Sequence, residues 1–182
     1  MKSYLKRTGL FYLYNTLAIF AGTLISAIPT VVMRAILHLD SSTFNSSLLS
    51  GIIDLLCTMS VLAFLMHRDT YEKPQFSLKT EVLPAFTVCV IRWAIWLITK
   101  GEAAFWVVGS ASYLPDLLFP DVSFHYADGF SAEAVVTQLI CTIIFDLLIT
   151  LPVFIGSAYV GYKRRDIERK RMIKEHEEQY NN

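Results

Sequence analysis

Charge is scarce in this 182-residue chain. Only 18% of its residues are Asp, Glu, Lys or Arg, against roughly 25% in a soluble domain. The shortage is also uneven, because no charged residue occurs between Thr8 and Met33, and none of the 14 residues from Pro120 to Glu133 is Lys or Arg. Neither sign dominates: 16 basic residues face 16 acidic ones, which argues against a nucleic-acid binder. Cysteine is sparse too. Cys57, Cys89 and Cys141 form no Cys-x-x-Cys pair, so a disulfide-rich secreted module and a thiol–disulfide relay are both excluded. Long apolar runs separated by clustered charge exclude a disordered chain and fit a polytopic membrane protein.

Catalytic signatures are missing as well. There is no His-Glu-x-x-His, no Gly-x-Ser-x-Gly and no phosphate-cradling glycine loop. Two aspartates, Asp54 and Asp146, fall in apolar stretches, and an intramembrane hydrolase would need them to share a proton at about 3 Å. The Asn-x-x-Asp-Arg element of the lipoprotein signal peptidases and the Gly-x-Gly-Asp element of presenilin-like proteases are both absent. No segment between apolar stretches exceeds about 35 residues, too few for a separate catalytic domain of 50 or more. A non-enzymatic protein without cofactor or metal is expected.

What is present is four stretches of the right length. A hydrocarbon core about 30 Å thick takes roughly 20 apolar residues, and residues 9–33, 48–66, 82–99 and 134–160 supply them. The expected fold is all-α: a four-span transmembrane bundle over 1–162, followed by a charged tail over 163–182. The outer segment 100–133 contains a shorter apolar run at 103–119, read as re-entrant or surface-lying. The first stretch reads as a retained anchor rather than a cleaved leader, since it is about twice the usual length and Ile25-Ser26-Ala27 is a poor cleavage site. Basic residues set the orientation. Lys2, Lys6, Arg7, Arg68, Lys73, Lys79 and the tail fall on one side, with only Arg34 and Lys100 on the other. The positive-inside rule then puts both termini in the cytoplasm, across a plasma membrane. Tyr12, Tyr14, Trp93, Trp96, Tyr159 and Tyr162 suit an interfacial aromatic belt.

Ionisable groups at bilayer depth cost about 2.5–3.5 kcal/mol each on insertion scales, so they face protein and seek partners. At 1.5 Å per residue, Arg92 lies about 15 Å from the inner end of its span and Asp146 about 18 Å from the outer end of its own. The same count puts Asp54 roughly 9 Å below the outer surface, near Arg34. The expected pairs are Arg92 with Asp146 and Arg34 with Asp54. Each span also carries a polar stripe: Gln138, Thr142, Asp146 and Thr150 on the fourth; Ser50 or Gly51, Asp54 and Thr58 on the second; Thr23, Ser26, Thr30 and Arg34 on the first; Cys89, Arg92, Trp96 and Lys100 on the third. Such stripes serve either as glue between helices or as the lining of a solute path. Pro29 and Pro152 each free a backbone carbonyl. Small residues Ala18, Gly22 and Ser26, and again Ser157 and Gly161, permit close helix approach.

Outside the spans the signals are weaker. Asp116, Asp121 and Asp128 match no calcium-loop spacing, and Asn45-Ser46-Ser47 is a glycosylation pattern close to the membrane. In the tail, Lys163, Arg164, Arg165, Arg169, Lys170, Arg171 and Lys174 form a basic run suited to anionic headgroups on the cytoplasmic face. Pairs at i,i+4, namely Asp166–Lys170, Arg171–Glu175 and Lys174–Glu178, favour a helix continuing from the fourth span. The expected role is a small accessory or scaffold subunit of a transport or envelope complex, as a homo-oligomer or with a partner membrane subunit. An oligomeric ion or small-solute permease is the alternative.

Overall fold

The computed structural model describes residues 2–38, 44–71, 77–99 and 132–180. The expectations placed on 103–119, Asp116, Asp121, Asp128 and Lys100 lie outside the described residues. All the described elements are helical: α1 (Lys2–Ile36), α2 (Phe44–Tyr71), α3 (Leu78–Ile98), α4 (Ala132–Phe145), a π turn (Asp146–Thr150) and α5 (Leu151–Tyr180). The last three run on without a break and form a single rod. Four stretches, Ser3–Ile36, Leu48–Tyr71, Lys79–Ile98 and Leu139–Glu177, are long and apolar enough to cross a membrane. The helices outrun the apolar residues at their charged ends because Lys, Arg and Glu are good helix formers. The tail adds ion pairs Lys170–Asp166 at 2.7 Å, Arg171–Glu175 at 2.8 Å and Arg164–Glu168 at 3.2 Å.

The rods pack in the cyclic order α1, α2, α5, α3. Neighbours in sequence run antiparallel, as contacts at each end show. Arg7 at the start of α1 meets Asp69 near the end of α2 and Glu81 at the start of α3, whereas Arg34 near the end of α1 meets Ser50 at the start of α2. Two apolar clusters fill the centre. Phe11, Leu62, Met66, Ala85, Val88 and Phe154 form one, in which the Phe11 and Phe154 rings stack 5.5 Å apart. Trp96 and Phe145 form the other.

Large apolar side chains stand exposed along the outside of the bundle. Leu13, Leu17, Phe20, Leu24 and Ile28 are exposed along α1, while Asn15, Ser26, Thr58, Thr142 and Thr150 are buried. Exposed apolar area costs about 25 cal/mol per Å² in water, whereas lipid places no such penalty on it and instead requires polar groups to turn inward. These are the surfaces of a membrane protein.

The π turn has a local cause. Pro152 cannot donate to the carbonyl of Leu148, and its ring would crowd that group in a regular helix. The chain instead widens, and the Leu151 amide reaches back five residues to the Asp146 carbonyl. The widening also corrects the helical phase. Thr142, Asp146, Thr150, Phe154 and Ala158 are all buried, every fourth residue over sixteen. On a regular helix that spacing drifts by about 40° a step, so Ala158 would end about 160° from Thr142. One surplus residue in a turn takes back about 100° of this, which keeps all five within a single inward stripe.

Two glycines permit the closest helix contacts. A Cβ on Gly22 would stand 2.5 Å from the Thr58 Cα, and one on Gly161 would stand 2.5 Å from Thr70 Oγ1 and against the His67 carbonyl. Both small-residue faces therefore pack within the chain, against α2. Gly156 differs, for a Cβ there meets nothing within 4 Å. Gly22→Val should lose about 1–3 kcal/mol by forcing α1 off α2, whereas Gly156→Ala should be neutral or gain up to about 1 kcal/mol through helix propensity. Thermal unfolding in detergent compares the two directly.

Candidate functional site

The densest polar constellation lies between the two apolar clusters. Arg92 of α3 is 2% exposed and Asp146 of the π turn 0%. Arg92 Nη1 stands 2.9 Å from Asp146 Oδ1 and 3.5 Å from Asn15 Oδ1 of α1. The other carboxylate oxygen, Oδ2, accepts the indole N–H of Trp93 at 2.8 Å. Both oxygens of Asp146 thus receive a donor from α3. Val88 and Trp96, one turn either side of Arg92, belong to the two apolar clusters, so the pair is enclosed from both ends. A charge-assisted bond in such surroundings is short and strong, and its partners hold α3 and the π turn in one register.

Thr142 and Thr150 lie one turn before and one turn after Asp146, both buried. The side chain of Gln138, one turn further out, is outside the described set. Thr150 Oγ1, Thr58 Oγ1 and Trp96 Nε1 are buried with no hydrogen-bond partner among the described residues. Trp96 and Trp93 depart from the interfacial belt expected of them. Trp96 is fully buried in the bundle, and Trp93 is turned inward to Asp146. For Trp93 the reason is the carboxylate, because an indole N–H at lipid depth is better satisfied by a buried anion than by the interface, whereas Trp96 packs against Phe145 in the apolar core.

Near the other end of α1, Arg34 Nη2 donates to Ser50 Oγ at 2.5 Å, and Ser26 Oγ donates to Asp54 Oδ1 at 2.9 Å. The expected meeting of Arg34 with Asp54 is thus replaced, in these contacts, by one serine for each. Ser50 sits one turn from Asp54 on α2 and comes level with Arg34. Asp54 and Asp146 are engaged here with different helices, α1 and α3.

A third constellation was not anticipated from the sequence. Arg7 spreads its guanidinium between two acids, Nη1 to Asp69 Oδ2 and Nη2 to Glu81 Oε2, each at 2.5 Å. Its carbon lies 4.1 Å from the Phe11 ring centroid, and the Tyr14 hydroxyl donates to Asp69 Oδ1 at 3.3 Å. Glu81 is 3% exposed on its side chain. The clue was one of level: Arg7, Asp69 and Glu81 each stand within three residues of an apolar boundary at the same end of the bundle. Beyond this end, the Tyr71 hydroxyl donates to Glu168, joining α2 to the tail. That hydrogen bond, with Arg164 beside it, holds the Glu168 carboxyl below its ordinary range.

Lys163, Arg164, Arg169, Lys170, Arg171 and Lys174 are exposed along the tail and Arg165 is half-buried. Cys57, Cys89 and Cys141 are free thiols. No group of three or more His, Cys, Asp or Glu converges among the described residues as metal ligands would. Set against known proteins, the chain matches no family model, no curated sequence and no solved structure.

Proposed function

We propose that this chain is a non-enzymatic accessory or scaffold subunit of a larger transport or envelope complex. It would lie in the plasma membrane with both termini in the cytoplasm. The observation carrying this reading is how the interior polar groups are used. Asp146 gives both oxygens to α3, Arg7 divides its guanidinium between α2 and α3, and aromatic packing closes the central pair on both sides. Groups spent on one another in this way fix helix order and register. The basic tail adds attraction to anionic headgroups at the cytoplasmic face, at about 1 kcal/mol per residue near the surface.

The second reading, an oligomeric ion or small-solute permease, is favoured by the π turn. Such turns are frequent at functional sites, and this one carries the buried acid. The two readings part on assembly and flux. Purified from its native membrane, the chain should co-purify with a fixed partner of different sequence, and alone in liposomes it should pass no ions. Ion flux from a homo-oligomer without a partner would overturn the accessory role. Labelling of cysteines placed at both termini should show them protected from impermeant reagent in intact cells.

A further inference from the structure

Gly156 is exposed on α5 and a Cβ there would meet nothing within 4 Å, although Gly in mid-helix is unfavourable beside Ala. The space above it belongs to a groove of about 610 Å³ between α2 and α5, open to the outside and lined by Phe64, His67, Leu148, Pro152, Gly156 and Val160 among others. From Leu148 to Val160 it runs for about 18 Å along the rod. Nearly all of its wall is apolar, and one end is not. His67 stands there, stacked on Tyr71, and the face of α5 that carries Gly156 and Val160 continues at three- and four-residue steps to Lys163 and Arg164. Tyr71 donates to Glu168, which Arg164 also meets, so Arg164 stands at the same end as His67. Arg165 Nη1 is buried with no hydrogen-bond partner among the described residues. The turn of α5 next beyond the groove thus carries Lys163, Arg164 and Arg165, with Asp166 and Glu168 as its acids and Arg164 paired to Glu168.

We propose that this groove is a binding site for one anionic phospholipid. An acyl chain would lie against Gly156 and Pro152, and the phosphate would sit at His67, Lys163 and Arg164. Charge complementarity selects this occupant over a second copy of the chain, whose own basic end would be repelled from the mouth. The apolar trough below it supplies what a free anion cannot use. The inference rests on the membrane reading but not on the accessory role, so flux or partner measurements leave it standing.

Native mass spectrometry of the detergent-purified chain, offered equal phosphatidylglycerol and phosphatidylcholine, tests it. One phosphatidylglycerol per chain should be retained, with a preference of about tenfold or more from the basic residues at the mouth. Gly156→Phe should abolish retention while leaving the thermal midpoint in lipid-free detergent unchanged, since the new ring enters open space. Lys163→Gln with Arg164→Gln should keep a lipid but level the preference. Retention untouched by Gly156→Phe would overturn the proposal. So would glycerol phosphate alone raising the thermal midpoint as much as phosphatidylglycerol does, or a dimer that Gly156→Phe breaks apart.

Discussion

Asp146→Leu should be among the most damaging single changes in this chain, at about 3–5 kcal/mol. It removes the carboxylate that faces Arg92, which is 2% exposed, and takes from the Trp93 indole N–H the acceptor it has in Asp146. Arg92→Leu should do equal harm by leaving the carboxylate unbalanced in an apolar cage. The informative variant is the double one. Replacing a buried pair by apolar residues of similar volume is often neutral or stabilising, so Arg92→Leu with Asp146→Leu should recover most of the folded yield that either single change loses. Size-exclusion profiles of the fluorescently tagged protein give that yield. If both single variants fold normally while a transport activity disappears, the pair works for a solute rather than for the fold.

Arg7→Leu should come next. Its side chain holds the acids of α2 and α3 apart from one another at 2.5 Å each, and its removal leaves two carboxylates confronting each other with little water. A loss of about 3 kcal/mol or more is expected for an unbalanced buried charge. Adding Asp69→Asn and Glu81→Gln to Arg7→Leu should restore much of it by removing the repulsion. A thermal midpoint in detergent measures each step. Full stability of Arg7→Leu alone would mean that water reaches both acids and that the fork is dispensable.

The two constellations differ in how far they can be read from residues alone. Four apolar helices follow from hydrocarbon thickness, and the depth count that sets Arg92 level with Asp146 uses only helical rise; the structure has these two 2.9 Å apart. Arg34 and Asp54 show the limit of such counting, since level alone does not say which of several polar neighbours on one face is reached, and each takes a serine. Arg7, Asp69 and Glu81 escape it for another reason. Charges at helix ends look solvated in a sequence, and only the packing order α1, α2, α5, α3 reveals that these three turn toward a common axis. Trp96 is misplaced by the same ambiguity, for a tryptophan near a span end serves an interface or a core equally well until its neighbours are known. The π turn was legible only as Pro152, and the phase correction it performs required knowing which residues are inside.

That surplus residue matters to anyone recombining this chain. Replacing Asp146–Thr150 by five residues of ordinary helix would deliver residues 151–180 swung by about 100° around the long axis. Gly161 would then point away from His67, and Glu168 away from Tyr71. Splice points in the last rod therefore belong before the widened turn or well beyond Tyr162, and homologous exchange of the rod has to count residues rather than turns.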